Sequence, residues 1–119
     1  MATGSLATKV RRQNTIAVID MSGEINALAE ESLNGAYTEA TEANPSAVLL
    51  NFAEVGYINS TGIALIVGVL MKARESATSI AACGLSDHFA EIFRITRLSD
   101  YMPIYPNEDT ATQSFASGQ

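Results

Sequence analysis

The chain has one cysteine, one histidine, and only seven lysines and arginines against thirteen acids. With Cys83 alone, neither an internal disulfide nor a cysteine-rich zinc site can form. Its neighbours Ile80, Ala81 and Ala82 mark it as a buried, inert strand thiol. His88, also alone, excludes a histidine-based metal cluster, and any Ser-His-Asp triad would depend on it entirely. It stands one residue ahead of an ordinary apolar helix stripe, with nothing beside it that marks a base–nucleophile pair. The net charge of −6 argues against a general nucleic-acid binder, whose affinity rests on Lys and Arg. Lys9, Arg11 and Arg12 form a small basic cluster that reads as the solvated edge of a strand.

Other absences narrow the field further. There is no G-x-x-x-x-G-K-[ST] loop and no G-x-G-x-x-G after a strand, so neither nucleotide-binding signature is present. The longest apolar run, Ile63 to Met71 interrupted by Gly68, falls short of the roughly 20 residues that cross a bilayer. Met1 to Thr8 has neither a basic n-region nor an apolar h-region, so no secretory signal is expected. Together these point to a cytoplasmic protein without membrane contact. No cofactor or metal is expected. The competing enzyme reading is a small hydrolase or transferase built around Asp20, Glu54 and His88. Asp20, Glu24 and Glu54 could also form an acidic cluster, although strand-end carboxylates are usually just solvated.

What remains is a globular composition: 119 residues, 47% hydrophobic and 17% charged, enough for one domain with one core. Thr8 to Arg12 reads as a short strand, and Thr15 to Met21 as a stronger β-branched one, with Gln13-Asn14 as the turn between them. Ser22-Gly23-Glu24 breaks the pattern and is expected to open a loop. From Asn26 the period becomes helical, with Ala29, Leu33, Ala36, Tyr37 and Ala40 on one stripe and Glu30, Glu31, Glu39 and Glu42 mostly on the solvated side. Asn44-Pro45-Ser46 ends that helix. Ala47 to Phe52 is apolar at every position but one, as in a strand covered on both faces. A helix follows from about Thr61 to Arg74, then a strand from Ser79 to Cys83. Ser86 is suited to cap a helix whose stripe is Phe89, Ile92, Phe93 and Thr96. Met102 to Tyr105 reads as an edge strand, since Pro103 cannot donate to a ladder. Asn107 caps a last helix, with Glu108 and Asp109 in its first turn.

The expected fold is therefore α/β, a single domain with a mixed four- to five-stranded sheet and about four helices, in the order β-β-α-β-α-β-α-β-α. The helices are expected mainly on one side of the sheet, with Ser60 exposed at the start of the second.

The most informative stretch is Ile58-Asn59-Ser60-Thr61-Gly62-Ile63, where a buried strand gives way to an apolar helix. On structural grounds alone, Asn59 or Ser60 is simply the helix cap. A hydroxyl at a helix amino end also lies where free N–H groups favour negative charge, so a phosphate there would be tolerated by the fold. Ile63, Ile66, Val67 and Leu70 suffice to pack this helix on the sheet. Ala64, Leu65, Gly68 and Val69 are then left over, with Thr61 and Lys72 at the ends. Either neighbouring helices cover these residues or they form a docking surface beside the serine.

At these residues the chain resembles the STAS domain family, and within it the bacterial anti-sigma factor antagonists. Gly23-Glu24-Ile25-Asn26 resembles the family's Gly-Glu-(Leu/Ile)-Asp turn. Val48 to Phe52 with Tyr57 and Ile58 resembles the approach to the family's phosphorylation site, and Asn59-Ser60-Thr61-Gly62-Ile63 resembles the site itself. Ile92 to Leu98, followed by Ile104-Tyr105, resembles the third helix and last strand. The match covers residues 8–115, leaving 1–7 and 116–119 as expected flexible termini.

The resemblance implies phosphorylation at Ser60 and no catalysis by the chain. The implied partners are an anti-sigma factor serine kinase of GHKL type, released by phosphorylation, and a PP2C-type phosphatase that resets the switch. The partner-reading surface is expected at Thr61, Ala64, Leu65, Gly68 and Lys72, with Gly23, Glu24 and Asn26 from the first loop and Asn59 and Gly62 beside the serine. A homodimer stays open. So do the family's other roles: a stressosome-type scaffold, or a small-ligand module with an enclosed apolar pocket of about 300 Å³ near Ser60. The chain departs from the family at Asn26 and Asn59, where aspartate is usual. Asparagine caps equally well, so the fold is expected to be unaffected while two negative charges beside the site are missing.

Overall fold

A computed structural model describes residues 6–116. Among them, five strands and four α-helices run in the expected order: β1 (Leu6–Gln13), β2 (Ile16–Ile25), α1 (Glu30–Thr41), β3 (Ala47–Ile58), α2 (Ser60–Glu75), β4 (Ser79–Cys83), α3 (Asp87–Ile95), β5 (Ile104–Tyr105) and α4 (Glu108–Ala116). Short 3-10 turns at Ala27–Ala29 and Leu98–Asp100 precede α1 and β5. The sheet order is β1-β2-β3-β4-β5. β1 and β2 form an antiparallel hairpin, and each later neighbour pairs in parallel. The hairpin turns on Asn14-Thr15, one residue later than expected, and Asn14 takes the positive φ (58°) that such two-residue loops demand.

Period-2 alternation divides the strands between two cores. Ala17, Ile19 and Met21 of β2, Val48, Leu50 and Phe52 of β3, and Ile80 and Ala82 of β4 face α1, α2 and α3. On that side they pack with Leu33, Tyr37, Ile66, Leu70 and Phe93, and Phe52 meets Phe93 edge to face at 5.7 Å. The alternate residues Ile16, Val18, Ala47, Leu49, Ala81 and Cys83 form a smaller core under α4, around Ala111. The expected stripe is buried residue for residue, Ala29 in the 3-10 turn and Leu33, Ala36, Tyr37 and Ala40 in α1. Ser86 and Asn107 accept hydrogen bonds from the amides of Phe89 (3.2 Å) and Thr110 (2.8 Å), as their capping roles require.

Four expectations need correction. First, Ser22-Gly23-Glu24 is not a loop. β2 runs on to Ile25 and β3 on to Ile58, paired in parallel beyond the end of β4, with Ser22 opposite Glu54 and Ile25 opposite Ile58. Two register shifts, each inserting one extra residue on β3, absorb the irregular sequence, and Gly23 supplies a φ of 110° between them. Second, β1 spans Leu6–Gln13 and is longer than the expected strand from Thr8 to Arg12, with Leu6 buried in the larger core. Residues 1–5 and 117–119 lie outside the described range.

Third, the basic cluster is not merely solvated. Arg11 ion-pairs with Asp20 and Glu108, tying β1 and β2 to α4. Arg12, on the opposite face, donates to the carbonyls of Ala40 (2.6 Å) and Glu39 (2.9 Å) at the end of α1. That helix has no basic residue in its own last turn, so the edge strand supplies the cation its carboxyl end favours. Fourth, α2 is rotated from the expected stripe. Gly62, Ile66, Val69, Leu70 and Ala73 are buried, while Val67 is exposed and Ile63 half-buried. An apolar helix offers several candidate arcs, and a close contact decides among them. A Cβ on Gly62 would stand 1.9 Å from the Ile25 carbonyl oxygen, so the helix enters with Gly62 down, and positions four, seven, eight and eleven residues later follow it.

Candidate functional site

The extended ends of β2 and β3 bring the two asparagine motifs together. Ile25 pairs with Ile58, so Asn26 and Asn59 leave the sheet side by side, and the Asn59 amide donates to the Ile25 carbonyl at 3.2 Å. Each asparagine then caps the segment that follows it. The Asn26 Oδ1 accepts from the Leu28 amide (2.9 Å) at the 3-10 turn, and the Asn59 Oδ1 accepts from the Gly62 amide (2.8 Å) at α2. Both caps need only a carbonyl oxygen, which asparagine provides as well as aspartate. The missing charges therefore leave the turn intact.

This arrangement decides which residue caps α2. Asn59, and not Ser60, is the cap of α2; Ser60 is the first helical residue and is exposed. Among the described residues its hydroxyl makes no side-chain hydrogen bond. The amides of Ser60 and Thr61 belong to the first turn, where helix geometry offers no acceptor within the helix. An anion on the Ser60 oxygen would meet those amides and the positive end of a 16-residue helix.

The other expected surface residues fall into three groups. Thr61, Ala64, Gly68 and Lys72 are exposed on α2, and Leu65 is half-buried among them. Lys72 reaches across to Asn34 of α1 at 3.1 Å, so it bridges two helices while remaining exposed. Gly23 is exposed on the bulged ribbon, and Glu24 and Asn26 beside it are half-buried and in contact through their side chains (3.4 Å). Gly62 is buried: its lack of a side chain holds the helix against Ile25 and presents nothing to a partner. Val69, expected among the leftover residues, belongs to the core for the reason given above.

The sequence reading missed several large exposed apolar groups. Leu28, in the 3-10 turn packed on α2, is 69% exposed, and Tyr57 at the end of β3 is 50% exposed. Met71, one turn beyond Val67, is as exposed as Tyr57. The signal for Leu28 and Tyr57 was an apolar residue beside a motif but off every core stripe. No strand or helix period could assign them, since both sit where an element ends.

Of the residues of the enzyme reading, Asp20 and Glu54 line one depression and His88 does not. Asp20 is held by Arg11 and Asn51, and the Arg11 guanidinium keeps its carboxyl below the ordinary range. His88 is exposed on the first turn of α3 against Phe89. Glu54 shares a shallow depression with Lys9 and Asp20, without His88. Among the described residues no group of three or more His, Cys, Asp or Glu side chains could hold a metal ion, and no helix is long and apolar enough to cross a membrane. Burial pushes the Cys83 thiol up to about 11, which removes it as a nucleophile near neutral pH.

The model of the STAS domain matches residues 7–111, nearly the whole chain. The chain belongs to the STAS domain family. A relative from Staphylococcus aureus, the anti-sigma-B factor antagonist, is 26% identical over 109 residues, covering 92% of this chain and 99% of that protein. Among solved structures, an anti-sigma factor antagonist from Mycobacterium paratuberculosis superposes with a TM-score of 0.76 at 24% identity, covering 95% of this chain and 96% of the other. The phosphorylated form of SpoIIAA, a cell fate determinant of Bacillus, superposes with a TM-score of 0.68 at 18% identity, covering 91% and 99%. At these identities the two structures speak for the STAS fold alone.

Proposed function

We propose that this STAS protein is an anti-sigma factor antagonist, a cytoplasmic binding switch without catalysis of its own, operated by phosphorylation of Ser60. The observation that carries this is the division of labour between Asn59 and Ser60. Because asparagine does the capping, the serine oxygen is left exposed and without structural duty at the amino end of a helix rooted in the core. The relative in Staphylococcus aureus is named as an antagonist of this kind, and SpoIIAA is a STAS-fold protein with a phosphorylated form.

In this reading the unphosphorylated surface of Ser60, Thr61, Ala64, Leu65, Gly68 and Lys72, with Gly23, Glu24 and Asn26, binds an anti-sigma factor serine kinase of GHKL type. Leu28 and Tyr57 join it as apolar anchors. The kinase transfers the γ-phosphoryl group of ATP to the Ser60 oxygen, the hydroxyl proton is released, and ADP remains. The new group adds about −1.5 to −2 charge in the middle of that contact while the helix amides hold it, so binding is lost and folding is not. A PP2C-type phosphatase returns the serine by hydrolysis. Incubation with the cognate kinase and ATP should add one phosphate at Ser60 by mass spectrometry, absent in Ser60→Ala, and should dissociate the complex on a sizing column. Phosphate on another residue, or a complex indifferent to it, would overturn this reading.

A further inference from the structure

Two turns beyond Ser60, about 10 Å along the axis of α2, the helix forms one wall of a groove of about 360 Å³. Val67, Met71 and Arg74 line that wall, and Thr96, Arg97 and Tyr101 the other. Leu70 and Leu98 are buried and form its floor. Val67, Met71 and Tyr101 are all substantially exposed, so apolar surface rises out of the groove as well as lining it.

The charge lining this groove differs from that on the outer side of α1. The chain carries −6 overall, and the outer side of α1 exposes Glu30, Glu31, Glu39 and Glu42. Of the two arginines at the groove, Arg97 is held by Asp100. Arg74 is held only by the face of Tyr101, with its guanidinium carbon 5.0 Å from the ring centroid, and no carboxylate pairs with it among the described residues. A cation placed over an aromatic ring at the lip of an apolar groove is prepared for a carboxylate whose neighbour is greasy.

We infer that the groove between α2 and the α3–β5 connection docks a segment of a protein partner in which a bulky apolar side chain fills the groove and an adjacent carboxylate binds Arg74. The outer face of α2, through Ala64, Gly68 and Met71, is continuous with this groove, so a partner lying along the helix reaches both. The acidic side of α1 repels such a segment and leaves this lip as its place of attachment. The inference does not depend on phosphorylation of Ser60.

The probe is a fluorescein-labelled synthetic peptide of about 14 residues with leucines at helical i and i+4 positions flanked by glutamates, compared with the same peptide carrying glutamine. Amide shifts of the full chain should move at Val67, Met71, Arg74, Thr96, Leu98 and Tyr101. The glutamate peptide should bind about 10-fold more tightly than the glutamine one, and Arg74→Glu should abolish that difference. Arg74→Glu should in turn prefer a lysine version of the peptide, which a misfolded protein would not do. Equal binding of the glutamate and glutamine peptides, shifts confined to other surfaces, or no shifts at millimolar peptide would each overturn the inference. So would saturable occupation of the groove by 4-phenylbutyrate with no peptide binding, since the groove would then be a small-molecule pocket. A failure here leaves the phosphorylation of Ser60 to its own experiment.

Discussion

On the face of the sheet covered by α1, α2 and α3, the strands present large side chains such as Ile19, Leu50, Phe52 and Ile80, and three helices close over them. On the α4 face the same strands present Ala47, Ala81 and Cys83 among Ile16, Val18 and Leu49, and a single nine-residue helix covers them. The first face is held mainly by burial, with Arg12 on the end of α1 and Lys72 on Asn34 as its polar ties. The second is completed by polar contacts: Arg11 joins Asp20 and Glu108, Asn51 donates to Asp20, and Tyr105 hydrogen-bonds Ser114. The proposed switch lies on the first face. Ser60 opens a helix whose buried side runs from Gly62 to Ala73, so a charge added there stands on a helix anchored in the larger core.

The two faces are expected to contribute unequally to stability. Phe93→Ala, which empties a fully buried ring position against Phe52, should cost about 3–5 kcal/mol by urea unfolding. Phe115→Ala on the other face removes a half-buried ring beside Tyr105 and should cost about 1 kcal/mol. Equal losses would show that α4 matters as much as the three-helix layer.

Gly62→Ala tests how tightly the switch helix is seated. The added methyl would collide with the Ile25 carbonyl, and a backbone oxygen cannot yield as a side chain can. A loss of about 1–3 kcal/mol is expected, with amide shifts moving at Ile25, Asn26 and Asn59. Neutral behaviour would mean that the helix can rotate and that the buried arc is not set by this contact.

The polar closure of the α4 face should show itself in acid. Asp20 has its carboxyl held below the ordinary value of about 3.9 by Arg11 and Asn51, so its contribution is present above that value and is lost as pH falls through the folded one. Asp20→Asn should therefore cost about 1 kcal/mol at pH 7, a modest figure because both partners are partly exposed and screened. The difference from the wild type should shrink below about pH 4. A difference constant from pH 7 to pH 3 would assign the loss to packing.

Ser60→Asp should change least. The helix amino end accepts the charge and Asn59 keeps the cap, so stability should stay within about 0.5 kcal/mol while kinase binding falls. A large loss of stability would mean that the serine has a structural role after all.

Residue order alone determined more of this protein than its length suggests. The element order, the buried stripe of α1, the inert Cys83 and the caps at Ser86 and Asn107 were all legible, because each rests on local periodicity or on a side chain bonding its own backbone. The short motif around Ser60 was legible as a helix entrance for the same reason. Only the tertiary structure decided which way α2 turns, since its apolar residues fit several arcs and a single contact between Gly62 and Ile25 selects one. It also decided that β2 and β3 continue as a bulged ribbon past β4, because the residues from Ser22 to Glu24 lack strand character and pair only through their partner strand. Arg11 and Arg12 found acceptors on α4 and α1 that lie far away in the chain, where no spacing rule reaches. The exposure of Ser60 belongs to both levels. A serine after an asparagine can cap or be free, and the parallel exit of two strands, which sets Asn59 as the cap, leaves it free.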